Sequence, residues 1–80
     1  MKINKAISTK LLKICKERNI SVNKLALMCC LTQSTVENLV NCYSKNPKLL
    51  TIVRICDGLN ITLAEFFDDD IFLEVDREDQ

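Results

Sequence analysis

The sequence has few residues that break helices and few that build zinc or catalytic sites. Its 80 residues include one glycine, one proline, and no histidine or tryptophan. Glycine and proline punctuate turns and loops, so their scarcity beside long Leu/Ile/Lys runs favours helices over strands. Apolar residues make up 48% of the chain, which is typical of an ordered protein. A chain this short forms one domain at most and buries a limited fraction of its surface.

Long apolar runs are also missing. No segment approaches the roughly 20 apolar residues that span a bilayer. The first ten residues, MKINKAISTK, lack the apolar core of a secretory signal peptide. We therefore expect a cytoplasmic protein without a membrane partner.

Catalytic signatures are absent as well. The chain has no histidine, no glycine-rich phosphate loop and no nucleophile–base pair at a recognisable spacing. We therefore expect no enzyme, no small-molecule substrate and no cofactor.

The cysteines do not form a zinc pattern, because none of them belongs to a C-x-x-C pair. We interpret them as reduced thiols that act as small apolar residues, and we expect no metal site. The alternative is a redox sensor at the adjacent pair Cys29 and Cys30. The five cysteines are Cys15, Cys29, Cys30, Cys42 and Cys56.

The net charge of zero hides a split along the chain. Through residue 56 there are ten basic and two acidic residues, whereas residues 57–80 hold nine acidic residues and one base, Arg77. A basic body with an acidic end indicates a polyanion partner. A solvated surface followed by a solubilising tail would give the same pattern.

The spacing of apolar residues predicts helices in the first half of the chain. The first helix is expected over residues 5–18, and Asn19 after it tolerates the left-handed conformation that ends helices. Ser21 is expected to cap a second helix that reaches about residue 29. Thr32 is expected to cap a third over residues 33–42. About three residues separate these two helices, so they must cross sharply, as in a helix-turn-helix.

Two more helices are expected in the second half. The Asn46-Pro47 pair predicts the start of a fourth helix over residues 47–58. Thr62 and Glu65 fit a capping box that starts a fifth helix, which runs through Phe67. Residues 1–70 would then form the domain, and residues 71–80 an acidic C-terminal tail that is either a short strand or disordered.

The third helix has an unusual open face, on which Gln33, Ser34 and Asn38 surround a single glutamate, Glu37, in place of the several lysines and glutamates of a simple solvated surface. With the short turn before it, this face resembles that of the Cro/cI-type, or XRE-type, helix-turn-helix family of bacterial and phage repressors. The resemblance covers about residues 7–67 without a visible gap. It rests on the segments ISTKLLKICKERNIS, VNKLALMCCLTQSTVENLVN and SKNPKLLTIVRICDGLNITLAEFF.

This resemblance implies a compact all-α, five-helix, lambda-repressor-like domain whose second and third helices form the helix-turn-helix. The third helix would lie in the major groove of double-stranded DNA. The implied function is a sequence-specific transcriptional regulator, with repression favoured, that binds a near-palindromic operator as a homodimer. The alternative is a protein-interaction module, or an antitoxin-type partner protein, whose DNA binding is weak or lost.

The resemblance also assigns site residues. Base contacts would come from Gln33, Ser34 and Asn38, and from Glu37 if its carboxylate accepts from cytosine. The start of the fourth helix would help to hold a phosphate through its dipole. The other expected phosphate contacts are Lys10, Lys24, Thr35, Asn41, Ser44, Lys45, Asn46 and Lys48. The expected dimer contacts are Leu50, Val53, Phe67, Ile71 and Leu73.

The chain departs from the family's pattern at several positions. Val22 stands where relatives have a glutamine that braces a phosphate. Lys10 and Val40 replace an arginine–glutamate pair that joins the first and third helices. Cys30 and Cys42 stand where glycine is common, so we expect a positive φ and mild strain at both.

Overall fold

The structure, a computed structural model, describes residues 1–77. Within these residues the chain forms five α-helices and a C-terminal 3₁₀-helix, and it forms no strand. The predicted all-α class with five helices is therefore confirmed. The elements are α1 (Ile3–Arg18), α2 (Val22–Met28), α3 (Gln33–Val40), α4 (Leu49–Leu59), α5 (Leu63–Phe67) and the 3₁₀-helix (Asp70–Glu74).

Side-chain caps fix the starts of α2, α3 and α5. Ser21 and Thr32 each accept a hydrogen bond from the backbone N–H three residues later. Thr62 and Glu65 form the predicted capping box, with hydrogen bonds of 2.8 and 3.0 Å. The bond from the Thr62 backbone N–H holds the pKa of the Glu65 carboxyl below its ordinary value.

Several helix boundaries differ from the predicted ones. α1 begins two residues earlier than expected, and α3 ends at Val40, because Cys42 takes a positive φ that cannot continue a helix. α4 begins at Leu49 rather than at Pro47, so the Asn46-Pro47 pair lies in the preceding loop. The reason is Lys48, whose extended backbone (φ −72°, ψ 134°) separates the proline from the helix.

The strand that was one possibility for residues 71–75 does not form, because residues 70–74 make a 3₁₀-helix that packs on α1. A lone strand would have had no partner for its backbone groups. Phe72 instead joins Phe66 and Phe67, with ring centroids 6.0 and 4.9 Å away. Such aromatic contacts stabilise the segment beyond the area they bury.

Asp69 fastens this segment to α1. One carboxylate oxygen accepts from the Ile71 backbone N–H at 3.0 Å, and the other lies 2.9 Å from the ammonium groups of both Lys10 and Lys13. The backbone bond and the two lysines hold the pKa of the Asp69 carboxyl well below its usual range. The acidic end of the chain is thus partly neutralised by lysines of the first helix.

The core collects apolar side chains from all five α-helices. The apolar stripe of α1, residues 7, 11, 14 and 15, is buried in it. Cys15, Cys29 and Cys56 are buried there too, as expected of small apolar residues, and burial raises the pKa of the Cys29 thiol to about 11. None of the helices within residues 1–77 is both long and apolar enough to cross a membrane.

The one glycine of the chain lets α4 approach the turn after α2. A Cβ atom on Gly58 would lie 2.6 Å from the Cys29 sulfur and 2.7 Å from the Met28 carbonyl oxygen. No side chain fits in that space, so α4 supports the helix-turn-helix from behind at backbone contact distance.

Candidate nucleic-acid interface

The polar face of α3 points out of the protein. Val36 is fully buried and Leu39 nearly so, and together they hold the helix on the core, where it packs against α1 and α2. The four residues expected to contact bases lie on the opposite, exposed side. They are Gln33, Ser34, Glu37 and Asn38.

Two of these side chains bond to each other. The Gln33 Nε2 donates to the Glu37 carboxylate at 2.7 Å, one helical turn along α3. The reverse amide orientation would place the Gln33 oxygen against a carboxylate, so the bond fixes which way the amide faces. Gln33 keeps its oxygen acceptor and one N–H donor for another partner. This pair was not predicted, although its spacing of four residues was a usable signal in the sequence.

A groove of about 260 Å³ separates α3 from the start of α4. It brings Asn38 together with three residues expected to contact phosphate, Thr35, Ser44 and Lys48. Lys48 makes no side-chain cap, so the first N–H groups of α4 stay open toward an anion. The Thr35 hydroxyl already lies 2.8 Å from that of Thr32 within the α3 cap.

The loop between α3 and α4 is held from behind by α1. The Asn4 side chain donates to the carbonyl oxygens of Ser44 at 3.2 Å and Cys42 at 3.5 Å. Sequence reasoning missed Asn4, because a polar residue in a first helical turn has many ordinary explanations. Lys45 and Asn46 are exposed on this loop.

The match to a family model is consistent with this arrangement of helices. The Cro/C1-type helix-turn-helix DNA-binding domain matches residues 10–70. The chain belongs to this family. The crystal structure of the prophage Lp1 protein 11 superimposes on 94% of this chain and 100% of that one, with a TM-score of 0.79 and 33% identity. Among curated protein sequences, none matches the chain.

Family membership confirms the helix-turn-helix and identifies the protein as a DNA-binding regulator. In this Cro/C1-type domain α2 and α3 are the two helices of the motif. Of the other residues expected at phosphates, Lys24 is exposed on α2 and Asn41 is exposed directly after α3.

Lys10 lies elsewhere. Its side chain is 13% exposed and pairs with Asp69, and it borders a surface hollow with Ile61 and Glu65. The structure therefore does not bring Lys10 together with the polar face of α3. The arginine–glutamate pair expected from the resemblance has no counterpart here, because Lys10 pairs with Asp69. A hydrogen bond from the Ser8 hydroxyl to the Val40 carbonyl oxygen, at 2.6 Å, joins α1 to the end of α3 instead.

Both cysteines at the family's glycine positions adopt the left-handed conformation, as expected. Cys30 has a φ of 56° in the turn of the helix-turn-helix, and Cys42 has a φ of 60° after α3. Val22, which replaces the usual glutamine, is half-buried and packs on the core. The start of α2 thus offers an apolar side chain at this position of the Cro/C1-type fold.

The residues expected at a dimer contact differ in exposure. Leu73 and Leu50 are 80% and 61% exposed. Val53 and Ile71 are half-buried, and Phe67 packs edge-on against Phe66 with centroids 5.0 Å apart. Phe67 therefore already closes the core of the monomer. The other large apolar side chains exposed within residues 1–77 are Met1, Ile3, Leu12, Leu27, Tyr43 and Leu49.

Acidic and thiol side chains do not converge at this surface. Within residues 1–77, no three Cys, Asp or Glu side chains could together hold a metal ion.

Proposed function

We propose that this Cro/C1-type protein is a sequence-specific transcriptional repressor that binds a near-palindromic operator as a homodimer. The observation that supports it is the outward edge of α3, from Gln33 to Asn38, beside a groove lined by Thr35, Ser44 and Lys48. A bound dimer would block access of polymerase to the promoter. The proposal needs no cofactor, substrate or chemical step, and it places the protein in the cytoplasm with its DNA.

Base reading would centre on Gln33. Adenine presents N7 as an acceptor and N6–H as a donor in the major groove, which matches a glutamine amide. The bond to Glu37 orients that amide and occupies part of a carboxylate that phosphates would otherwise repel. Ser34 and Asn38, exposed on the same face, would contact neighbouring base edges.

Phosphate contacts would fix the position of α3 along the major groove of the DNA. Lys48 and the open N–H groups of α4 would hold one phosphate, with the Ser44 hydroxyl beside them. Lys24, Thr35, Asn41, Lys45 and Asn46 would serve adjoining phosphates. Lys10 would contribute through the net charge of the domain, because its ammonium group is engaged by Asp69.

The homodimer follows from the size of one reading helix. α3 has eight residues and covers a few base pairs, too few to define an operator. Relatives in this fold class place two recognition helices on half-sites about one helical turn apart. The exposed Leu50 and Leu73 would make that contact, together with the less exposed Val53, Ile71 and Phe67.

Selection of bound duplexes from a random library tests the base-reading role. With the consensus in hand, Gln33→Ala should lose about 1–3 kcal/mol on that duplex and blur the preference at one base pair. Titrations on the consensus and on duplexes with single changes would measure both effects. Lys16→Ala, an exposed change near the end of α1, is the control. An equal loss on every sequence would contradict base reading by Gln33.

A further inference from the structure

The two ends of the described chain meet beside the α3–α4 loop. The Met1 amine donates to the Glu74 carbonyl oxygen at 2.7 Å and pairs with the Asp76 carboxylate at 3.2 Å. The Asp76 backbone N–H donates back to the Met1 carbonyl oxygen at 2.8 Å. These bonds bring Arg77 to the start of α1.

A cavity of about 480 Å³ opens at this junction. Its lining includes three basic side chains from distant parts of the sequence: Lys2, Lys45 and Arg77. Two side-chain amides, those of Asn4 and Asn46, line it as well. Arg77 is the one base of an otherwise acidic segment, so only the fold reveals that it joins a basic cluster.

Counted over residues 1–77, the lining of the cavity carries a positive charge. Its carboxylate, Asp76, is paired with the Met1 amine. Among residues 1–77 none of the three basic side chains forms an ion pair, because the pairs found there join Met1 to Asp76 and Asp69 to two lysines of α1. Within residues 1–77 an anion would therefore meet three cations that have no ion-pair partner there.

The donors favour a phosphate over a simple anion. The arginine guanidinium has a planar fork that matches phosphate oxygens, lysine adds charge, and the Asn46 amide adds directed N–H groups. Lys45 and Asn46 also belong to the loop proposed above to hold DNA phosphates. The cavity and the α3–α4 groove are thus lined by neighbouring residues of one loop.

We propose that this cavity binds a phosphate group, and that in the operator complex the group is a backbone phosphate of the DNA. Lys2 and Arg77 thereby extend the DNA interface to the joined chain ends. The chemistry of the site stands on the cavity alone, whereas DNA as the source of the phosphate rests on the proposed function. A free phosphate is the other source that the same chemistry would accept.

Binding of Arg77→Ala to the duplex selected from the random library tests whether the bound phosphate belongs to DNA. One phosphate contact contributes about 0.9 to the slope of log affinity against log salt concentration. At 0.15 M salt, the loss of one contact therefore lowers the affinity about fivefold. We expect Arg77→Ala to cause that loss equally on all sequences and to flatten the slope by about one unit. Lys2→Ala should do the same. Lys16→Ala is the control, because its place on α1 lies roughly 20 Å along the helix from Ile3.

The phosphate chemistry is tested without DNA. Backbone amide resonances of Asn4, Asn46 and Arg77 are followed by NMR as inorganic phosphate replaces chloride at constant ionic strength. We expect saturable shifts in the wild type that Arg77→Ala weakens and Lys16→Ala leaves unchanged.

The outcomes separate the claims. A flattened salt slope in Arg77→Ala supports the DNA phosphate, and amide shifts with an unchanged slope support a free phosphate instead. An unchanged slope without amide shifts overturns the site. If the wild type binds no duplex at all, the proposed function fails, and the amide shifts still decide whether the cavity takes phosphate.

Discussion

Cys30 and Cys42 turn the chain on either side of α3 with positive φ values of 56° and 60°. A side chain with a Cβ carries a cost of about 1–2 kcal/mol in this conformation. Asn19 and Asn60 adopt the same conformation after α1 and α4, where asparagine tolerates it better. The two cysteines therefore hold strain at both ends of the proposed reading helix.

Relief of this strain can be measured at Cys30, whose side chain is exposed. Cys30→Gly should raise the free energy of unfolding by about 0.5–1 kcal/mol, because the gain in backbone fit exceeds the entropy cost of glycine. Urea unfolding measures the change. Cys30→Ala is the matched control, since it removes the thiol and keeps the strained backbone. An equal gain in both variants would assign the effect to the thiol.

At the level of elements, the approach of α4 to the end of α2 depends on Gly58. Gly58→Ala should lower the free energy of unfolding by about 1–3 kcal/mol through overpacking. The better helix propensity of alanine offsets about 1 kcal/mol of that loss. Two of the three closest atoms are backbone atoms of Met28 and Cys29, which cannot rotate away. Thermal or urea unfolding measures the loss.

Asp57→Ala controls for this change, because it alters the same turn of α4 at an exposed side chain. It should leave stability nearly unchanged. A Gly58→Ala variant that is more stable than the wild type would show that α4 can move away from the turn without cost.

The attachment of the 3₁₀-helix should depend on acid pH. Because the pKa of Asp69 is lower in the folded protein than in the unfolded chain, its stabilisation is complete above about pH 4, the usual aspartate range. It is lost as the pH falls below that range. Asp69→Asn should be less stable than the wild type at pH 7, and the two should converge toward pH 2.

Urea unfolding at a series of pH values measures this convergence. Asp68→Asn is the control, as a neighbouring exposed carboxylate, and it should keep the wild-type pH dependence. Parallel curves for the wild type and Asp69→Asn would show that the ion pairs with Lys10 and Lys13 do not stabilise the fold.

Elements that depend on nearby residues could be predicted from the sequence. Ser21, Thr32 and the Thr62–Glu65 box act within one turn, so their sequence patterns are sufficient. The outward face of α3 likewise follows from helical periodicity. The 3₁₀-helix could not be predicted, because Asp69 and Lys10 are 59 residues apart and neither residue type identifies the other.

The same distinction holds for the candidate site. Its exposed polar residues follow from spacing and resemblance, whereas the Asn4 bonds to the loop join residues about 40 apart. The basic cavity is a stronger case, because it needs both chain ends and the loop together. Local patterns could not have assigned Arg77 to it.

For the whole molecule, size bears on the proposed dimer. The monomer measures 35 × 23 × 21 Å. Half-sites one helical turn apart are about 34–36 Å from centre to centre. Two such monomers on one face of DNA are therefore close enough to touch, through side chains at their facing edges.

Charged substitutions at those side chains test the dimer. Leu50→Glu and Leu73→Glu should each raise its dissociation constant by about tenfold or more, through lost apolar burial. Both side chains are largely exposed in the monomer, so melting of the monomer should not change. Sedimentation with and without a symmetric duplex measures association, and Leu12→Glu on α1 is the control. A wild type that is monomeric in both conditions would refute the dimer.

The bonds of Met1 to Glu74 and Asp76 make the fold nearly a closed ring. A peptide bridge could join Arg77 to Met1, and new termini could be opened at the exposed turn around Asn19. Such a circular permutant would keep the order of helices in space while changing their order in the gene. It would also remove the terminal amine that pairs with Asp76, without altering any side chain.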